Sequence, residues 1–146
     1  PREDAVFWMD QNGIWHNEHG KFEHPKVIRY FNASIRKDDH GYYVYQSTDE
    51  FDEKVYFPYV ETAVFAVDVR IAETVALVLN IHQTISIHEG DLLIRSDNLY
   101  LKTPEHLIKF TPKAMLKLAR FITEQDDGHM VLTVNGQTCD ILTADP

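Results

Sequence analysis

One stretch of this chain, Pro25 to Val44, aligns without a gap with a second stretch, Pro112 to Val131, and six of the twenty positions are identical. Both copies begin with Pro-Lys and place a glycine sixteen residues after the proline. In both copies apolar residues recur at i, i+3 and i+7, the spacing of one helical face. These residues are Ile28, Phe31 and Ile35 in the first copy and Met115, Leu118 and Ile122 in the second. The repeat therefore predicts the same small structural unit twice.

Proline, glycine and asparagine predict where the elements of these units begin and turn. Proline suits the first turn of a helix, so helices are expected from Pro25 to about Arg36 and from Pro112 to about Thr123. Gly41 and Gly128 then offer backbone positions that take positive φ at a turn before a strand. Asn-Gly between apolar runs predicts β-hairpins at residues 12–13 and 135–136.

The middle of the chain has no helical period. Four β-rich segments separated by short turns predict an antiparallel meander: residues 55–59, 63–71, 75–81 and 84–88. Pro58 is expected at an edge or bulge of this meander. The predicted fold class is α+β, with two similar β-hairpin/helix/strand units flanking a central antiparallel β meander. Residues 1–60 form the N-terminal α/β unit, and residues 61–146 combine the β-rich middle with the second unit.

Composition limits the classes of partner. The formal net charge of −9 argues against a surface dedicated to nucleic acid or to an anionic membrane, because both require a cationic face. A basic stripe on the second helix is interpreted as a solvated helix face: Lys109, Lys113, Lys117 and Arg120. We therefore expect a small molecule or a protein as the partner, with a homo-oligomer as a further option.

The single cysteine, Cys139, cannot form an internal disulfide, which fits a reducing compartment and predicts a cytoplasmic protein. Its apolar flanks favour packing as a small hydrophobe over action as a nucleophile. No apolar run approaches the roughly 18 residues that a membrane span needs.

Catalytic and metal-binding patterns are missing from the sequence. The eight histidines do not show the spacing of known zinc sites, and no nucleophile or glycine-rich phosphate motif occurs. We therefore predict no metal, no cofactor and no catalytic residue. The alternative is a small hydrolase or isomerase that uses His40, His82 or His88 with nearby acids.

The two copies differ most in their aromatic residues. Four tyrosines of the first copy are replaced in the second by Lys117, His129, Met130 and Leu132. They are Tyr30, Tyr42, Tyr43 and Tyr45. An aromatic-rich strand beside a helix can line a ligand pocket or can form core. These tyrosines, together with Trp15 of the first hairpin, are the candidate ligand-binding residues.

Several motifs together resemble an uncharacterised bacterial family, domain of unknown function 1285 (DUF1285). They are Asp10-x-x-Gly13-x-Trp15, Pro25, Phe31, Asp39-x-Gly41-x-Tyr43 and the run Val60-Glu61-Thr62-Ala63-Val64-Phe65. The resemblance covers most of the first ninety residues. It implies a two-part α/β fold with repeated motifs, a role in ligand binding or signal transduction, and no assigned catalytic residues.

The leading hypothesis for function is a non-enzymatic module that binds a small ligand or a protein, in bacterial signalling. A small hydrolase or isomerase and a structural homo-oligomeric assembly subunit are the two alternatives. An assembly subunit would pair exposed strand edges between copies.

Overall fold

The computed structural model describes residues 5–144. The chain divides into two compact units, one ending at Ala63 and the other beginning at Val64. Across the described residues the fold is mixed α+β, mostly strands, with two α-helices and mainly antiparallel pairing. The predicted α+β class is therefore confirmed.

The first unit contains one helix and two three-stranded antiparallel sheets. Its elements are β1 (Phe7–Met9), β2 (Trp15–Asn17), β3 (Gly20–Lys21), α1 (Pro25–Ala33), β4 (Ile35–Asp38), β5 (Gly41–Ser47) and β6 (Asp52–Tyr56). The sheets have the strand orders β1-β2-β3 and β4-β5-β6. The predicted hairpin at Asn12-Gly13 is confirmed: Gly13 has a φ of 79°, and Asp10 Oδ1 accepts hydrogen bonds from the amides of Asn12 and Ile14.

Aromatic rings fill the core of the first unit. Trp15 lies at their centre, with its ring centroid 4.6 Å from Phe57, 5.3 Å from Phe31 and 5.8 Å from Phe7. Its Nε1 donates a hydrogen bond to Asn32 Oδ1 of α1 at 2.8 Å. Such edge-on ring contacts add to the stabilisation from apolar burial. The helix is thereby fixed to the hairpin by both packing and a hydrogen bond.

The second unit contains one helix and a nine-stranded sheet. Its elements are β7 (Phe65–Ile71), β8 (Val75–Leu79), β9 (Thr84–Ser86), a short 3-10 helix (Ile87–Glu89), β10 (Asp91–Arg95), β11 (Asn98–Lys102), β12 (Leu107–Phe110), α2 (Pro112–Ala119), β13 (Ile122–Glu124), β14 (Met130–Val134) and β15 (Gln137–Thr143). The predicted hairpin across Asn135-Gly136 is present as β14 and β15, with Val134 opposite Gln137.

The topology of this sheet corrects the predicted central meander. The order is β13-β14-β15-β10-β11-β12-β7-β8-β9, and two of its pairings are parallel, β10 with β15 and β12 with β7. The strands that follow α2 therefore belong to the same sheet as the middle strands and do not form a separate unit beside it. Residues 55–59 do not join this sheet, because Val55 and Tyr56 belong to β6 and pair with β5.

Both helices end earlier than the apolar spacing predicted. The first ends at Ala33 and the second at Ala119. Ile35 and Ile122, the last apolar position of each predicted face, start strands and pair with Val44 and Leu132. Two helical positions followed by an apolar strand position give the same i, i+3, i+7 pattern as one longer helix.

The gapless repeat is not confirmed. Each helix is followed by three antiparallel strands, but the pairing register of the first two differs by one residue between the copies. Residues 39–40 form a two-residue turn after β4, whereas residues 125–129 form a longer loop after β13. Gly41 and Gly128 both have positive φ, 121° and 86°, as predicted. A common origin of the two segments stays a prediction.

Candidate functional site

Three of the five candidate ligand-binding residues are buried in the first unit: Trp15, Tyr42 and Tyr43. Trp15 is 1% exposed and Tyr42 is 3% exposed. The Tyr42 ring packs edge-on against Tyr59 at 5.0 Å, and its hydroxyl lies 3.5 Å from Thr62 Oγ1. Burial raises the pKa of Tyr42, because the phenolate would lose its hydration. A pocket lining would require these two rings to face open space, and they pack against protein instead.

Strand alternation places the next tyrosines on the opposite side of the sheet. Tyr42 and Val44 of β5 share one side of the sheet, so Tyr43 and Tyr45 lie on the other side, where Tyr43 is also buried. In the sheet register Tyr43 lies between Arg36 and Tyr56, and Tyr45 lies opposite Lys54. We call the outward side of this sheet the tyrosine face and define it by six residues: Arg36, Asp38, Tyr43, Tyr45, Lys54 and Tyr56.

The aromatic part of the tyrosine face is closely packed. The Tyr43 and Tyr56 ring centroids are 5.3 Å apart, and Lys54 Nζ lies 4.9 Å from the centroid of the Tyr43 ring. Tyr43 is itself buried, whereas Tyr56 is 42% exposed and Tyr45 is half-buried. Tyr30 is 53% exposed on α1 and does not belong to this face.

Asp38 ties the polar groups of the tyrosine face together. Its Oδ2 accepts hydrogen bonds from the Tyr56 hydroxyl at 2.6 Å and from Lys54 Nζ at 3.2 Å, and its Oδ1 accepts from the His40 amide at 2.9 Å. The Tyr56 hydrogen bond is the main reason that the pKa of Asp38 falls to about 2. The same bond raises the pKa of Tyr56, and the separate hydrogen bond from Lys54 to Asp38 raises the pKa of Lys54. The charged Asp38 thus holds two long side chains in place.

Asp38→Asn should lower the melting temperature at pH 7, because the amide lacks the charge that binds Lys54. The pKa of Asp38 is lower in the folded protein than its ordinary 3.8, so its stabilising effect is complete above about pH 5. It is lost as pH falls towards 2. The difference between wild type and Asp38→Asn should shrink over this range, measured by circular dichroism melts. Asp39→Asn, one residue away and exposed, is the control. A constant difference from pH 7 to pH 2 would contradict this role of Asp38.

The histidines of the alternative catalytic hypothesis lie in different parts of the fold. His40 belongs to the first unit, where its ring meets Tyr56 edge-on at 6.3 Å. His82 lies in the turn between β8 and β9 with a φ of 61°, and His88 lies in the 3-10 helix. Within residues 5–144, no group of three or more His, Cys, Asp or Glu side chains is placed to hold a metal ion.

The basic stripe predicted on the second helix meets a carboxylate. Asp68 of β7 accepts from Lys117 Nζ at 2.7 Å, and Lys113 Nζ lies 3.8 Å from its other oxygen. Lys109 is buried on β12 and does not belong to the helix. No helix between residues 5 and 144 is long and apolar enough to cross a membrane.

Each unit has shallow open clefts. One of about 270 Å³ lies in the first unit between the β2–β3 turn and the start of α1, and its lining includes His19, Phe22, His24 and Val27. Another of about 350 Å³ lies in the second unit beside His88 and Cys139. Small-molecule sites typically enclose about 300–1,000 Å³ and bury most of the ligand. The first-unit cleft lies just below that range.

The sequence did not predict that Asp38, Lys54 and Tyr56 belong with the tyrosines. The sequence pattern places residues 55–59 in the middle meander, and so does not predict that Tyr56 lies beside β5. Alternation along β5 could have separated Tyr42 from Tyr43 and Tyr45. The partners across the sheet depend on the register between β5 and β6, which residue identity alone does not set.

These features describe an α+β protein of two units whose first unit carries an aromatic and charged sheet face. Its fold is similar to that of two crystal structures of DUF1285 family proteins. The one from Silicibacter pomeroyi DSS-3 is 16% identical, with a TM-score of 0.69 over 97% of this chain and 81% of that chain. The one from Shewanella baltica OS155 is 18% identical, with a TM-score of 0.56 over 81% of this chain and 93% of that chain.

No family model matches the sequence, and no curated protein matches it significantly. At 16% and 18% identity the two crystal structures establish the fold. The sequence motifs resembled the same family, DUF1285, so the resemblance is confirmed at the level of fold.

Proposed function

We propose that the protein is a non-catalytic binding module and that its tyrosine face binds a protein or peptide partner. The observation that carries this proposal is the outward sheet surface on which Tyr45 and the exposed Tyr56 lie beside charged side chains. Tyrosine and arginine are enriched in protein interfaces, and truncating them there often costs much of the binding free energy.

The fixed geometry of the face also supports binding. Asp38 holds Tyr56 and Lys54 by hydrogen bonds, and Lys54 lies over the Tyr43 ring. Side chains that are already ordered lose less conformational entropy when a partner binds. The face is therefore preorganised.

The charge of the chain favours one kind of protein partner. A net charge of −9 attracts cationic molecules over long distances and speeds their encounter. We propose a partner with a basic surface, whose aliphatic or aromatic groups pack on Tyr45 and Tyr56.

A protein partner fits this face better than a small molecule does. The tyrosine face lies on the outward side of a three-stranded sheet, whereas small ligands bind in concave sites that surround them. We propose bacterial signalling and the cytoplasm as the setting of this module, on the basis of the family resemblance and the single cysteine. An assembly subunit stays the alternative, in which a second copy would cover the tyrosine face.

Tyr45→Ala and Tyr56→Ala should each weaken binding of the partner by at least about tenfold, if these rings are anchors of the interface. The partner is first isolated on immobilised wild-type protein and then purified, so that its affinity can be measured by calorimetry. Tyr30→Ala is the matched control, because Tyr30 is similarly exposed but lies on α1. It should bind like the wild type.

Tyr56→Phe separates the ring from its hydroxyl. It keeps the aromatic surface and removes the hydrogen bond to Asp38, so its affinity should lie between those of wild type and Tyr56→Ala. Equal binding by wild type, Tyr45→Ala and Tyr56→Ala would overturn the proposal. A change from dimer to monomer in Tyr45→Ala, seen by light scattering, would favour the assembly subunit instead.

A further inference from the structure

The only cysteine in the sequence lies beside an imidazole. Cys139 Sγ is 3.8 Å from His88 Nδ1, and His88 Nε2 is 3.3 Å from Gln137 Oε1. A carbonyl oxygen can only accept, so the ring hydrogen lies on Nε2. Nδ1 then keeps its lone pair and faces the thiol. The three side chains form a row in which Gln137 orients His88 and His88 can take the proton of Cys139.

The fold places these residues through the parallel pairing of β10 and β15. Leu92 pairs with Ile141. The end of the 3-10 helix comes just before Leu92, and Cys139 comes just before Ile141, so these two segments lie side by side. A capping box fixes the 3-10 helix: Ser86 Oγ accepts from the His88 amide at 3.1 Å, and Glu89 Oε2 accepts from the Ser86 amide at 2.9 Å. The backbone of His88 is therefore held in position.

The row is open to solvent. Cys139 is half-buried, His88 and Gln137 are exposed, and the thiol lines a cleft of about 350 Å³. Burial raises the pKa of the Cys139 thiol, and the negative charge of neighbouring Asp140 raises it further. Without a base the thiolate would be scarce at neutral pH. A nearby imidazole supplies that base.

We propose that Cys139 is a site of reversible S-thiolation, in which His88 takes the thiol proton and a low-molecular-weight disulfide is the co-reactant. The proton passes from Sγ to Nδ1, and the thiolate attacks one sulfur of the disulfide R–S–S–R. A new S–S bond forms to Cys139 as the old one breaks, and the leaving thiolate takes the proton from His88. Cys139 is oxidised to a mixed disulfide, and the other half of the reagent is reduced to R–SH.

The charges around the cleft select the reagent. Asp91 and Asp140 line it with His88 and Cys139, and Glu89 follows His88 in the chain. The other residues that line this cleft are uncharged: Ile87, Gly90, Leu92 and Leu142. A disulfide with cationic ends is therefore attracted and one with anionic ends is repelled, and salt weakens both effects.

The test measures the rate of mixed-disulfide formation by intact-protein mass spectrometry with two reagents. Cystamine carries two positive charges and 3,3′-dithiodipropionate carries two negative charges. Each rate is divided by the rate of the same reagent with the chain unfolded in urea, which removes the difference in intrinsic reactivity. At pH 7 and low salt the normalised rate for cystamine should be at least about tenfold higher than that for the dianion. Asp91→Asn with Asp140→Asn should remove most of this preference.

His88→Gln should lower the cystamine rate at pH 7 by at least about tenfold, and the remaining rate should rise about tenfold per pH unit as for a thiol without a base. Gln137→Ala should slow the reaction less, and Gln137→Glu should restore it, because a carboxylate also accepts from Nε2. This rescue separates a positioning role from a loss of folding, which circular dichroism checks.

Equal rates for wild type and His88→Gln, or a native rate no higher than that of the unfolded chain, would overturn the proposal. Equal normalised rates for the two reagents would overturn the selection by charge. The Cys139→Ser variant should show no increase in mass with either reagent. An increase in mass of Cys139→Ser would show that the reaction occurs at another residue and would also overturn the proposal.

Discussion

Trp15→Ala should destabilise the first unit by about 3–5 kcal/mol, the usual cost of removing a large aromatic side chain from a core. Trp15 is 1% exposed and its ring meets those of Phe7, Phe31 and Phe57. The substitution also leaves Asn32 Oδ1 without its donor, which adds to the cost. A loss of this size is a large part of the roughly 5–15 kcal/mol that stabilises a typical domain.

The second tryptophan makes this prediction measurable. Trp8 and Trp15 are the two tryptophans of the chain, and both lie in the first unit, so tryptophan emission during urea unfolding reports on that unit. In Trp15→Ala the signal comes from Trp8. Trp8→Ala is the matched control and should cost less than about 2 kcal/mol, because Trp8 is only half-buried. A cost below about 1 kcal/mol for Trp15→Ala would show that Trp15 is not a core residue.

The sequence predicted the features of this fold that depend on neighbouring residues. Asn12-Gly13 and Asn135-Gly136 specify hairpins because positive φ is easy for these residues. Pro25 and Pro112 specify helix starts because their φ suits the first turn. In each case the residues that determine the local backbone conformation lie within four residues of the turn or helix start that they specify.

The sequence did not predict contacts between distant strands. The pairing of Phe65 with Lys109 and of Leu92 with Ile141 joins segments more than forty residues apart. Parallel pairs have no short turn that could reveal them in the sequence. The row of Cys139, His88 and Gln137 depends on the second of these pairings, so its residues looked unrelated along the chain.

The candidate site also combines features that the sequence predicted with features that it did not predict. The run Tyr42 to Tyr45 indicated an aromatic strand, and strand alternation explains why Tyr43 and Tyr45 lie on the side of the sheet opposite Tyr42. The charged partners on the tyrosine face come from β4 and β6. They could be found only from the register of the sheet, which is set by packing of the opposite face.

Gly90→Ala should destabilise the second unit by about 3 kcal/mol, near the upper end for added atoms in a packed region. A Cβ at Gly90 would lie 2.3 Å from the carbonyl oxygen of Lys102 and 2.8 Å from its carbonyl carbon. The φ of Gly90 is −159°, an extended conformation that any residue adopts, so the cost is steric and not conformational. The obstructing atoms are backbone and cannot rotate away, because Lys102 pairs with Asp91 next to Gly90.

Gly136→Ala separates the steric cost from the conformational cost. Gly136 has a φ of 80°, and an added Cβ would meet nothing within 4 Å. Its substitution should therefore cost only about 1–2 kcal/mol, the strain of a left-handed backbone. Unfolding of both variants is followed by far-UV circular dichroism in urea. Because Gly90 lies between His88 and the first pair of β10 and β11, its displacement should also slow thiolation of Cys139, which Gly136→Ala should not do. A Gly90→Ala variant as stable as wild type would show that the backbone of Lys102 is not as close to Gly90 as the structure places it.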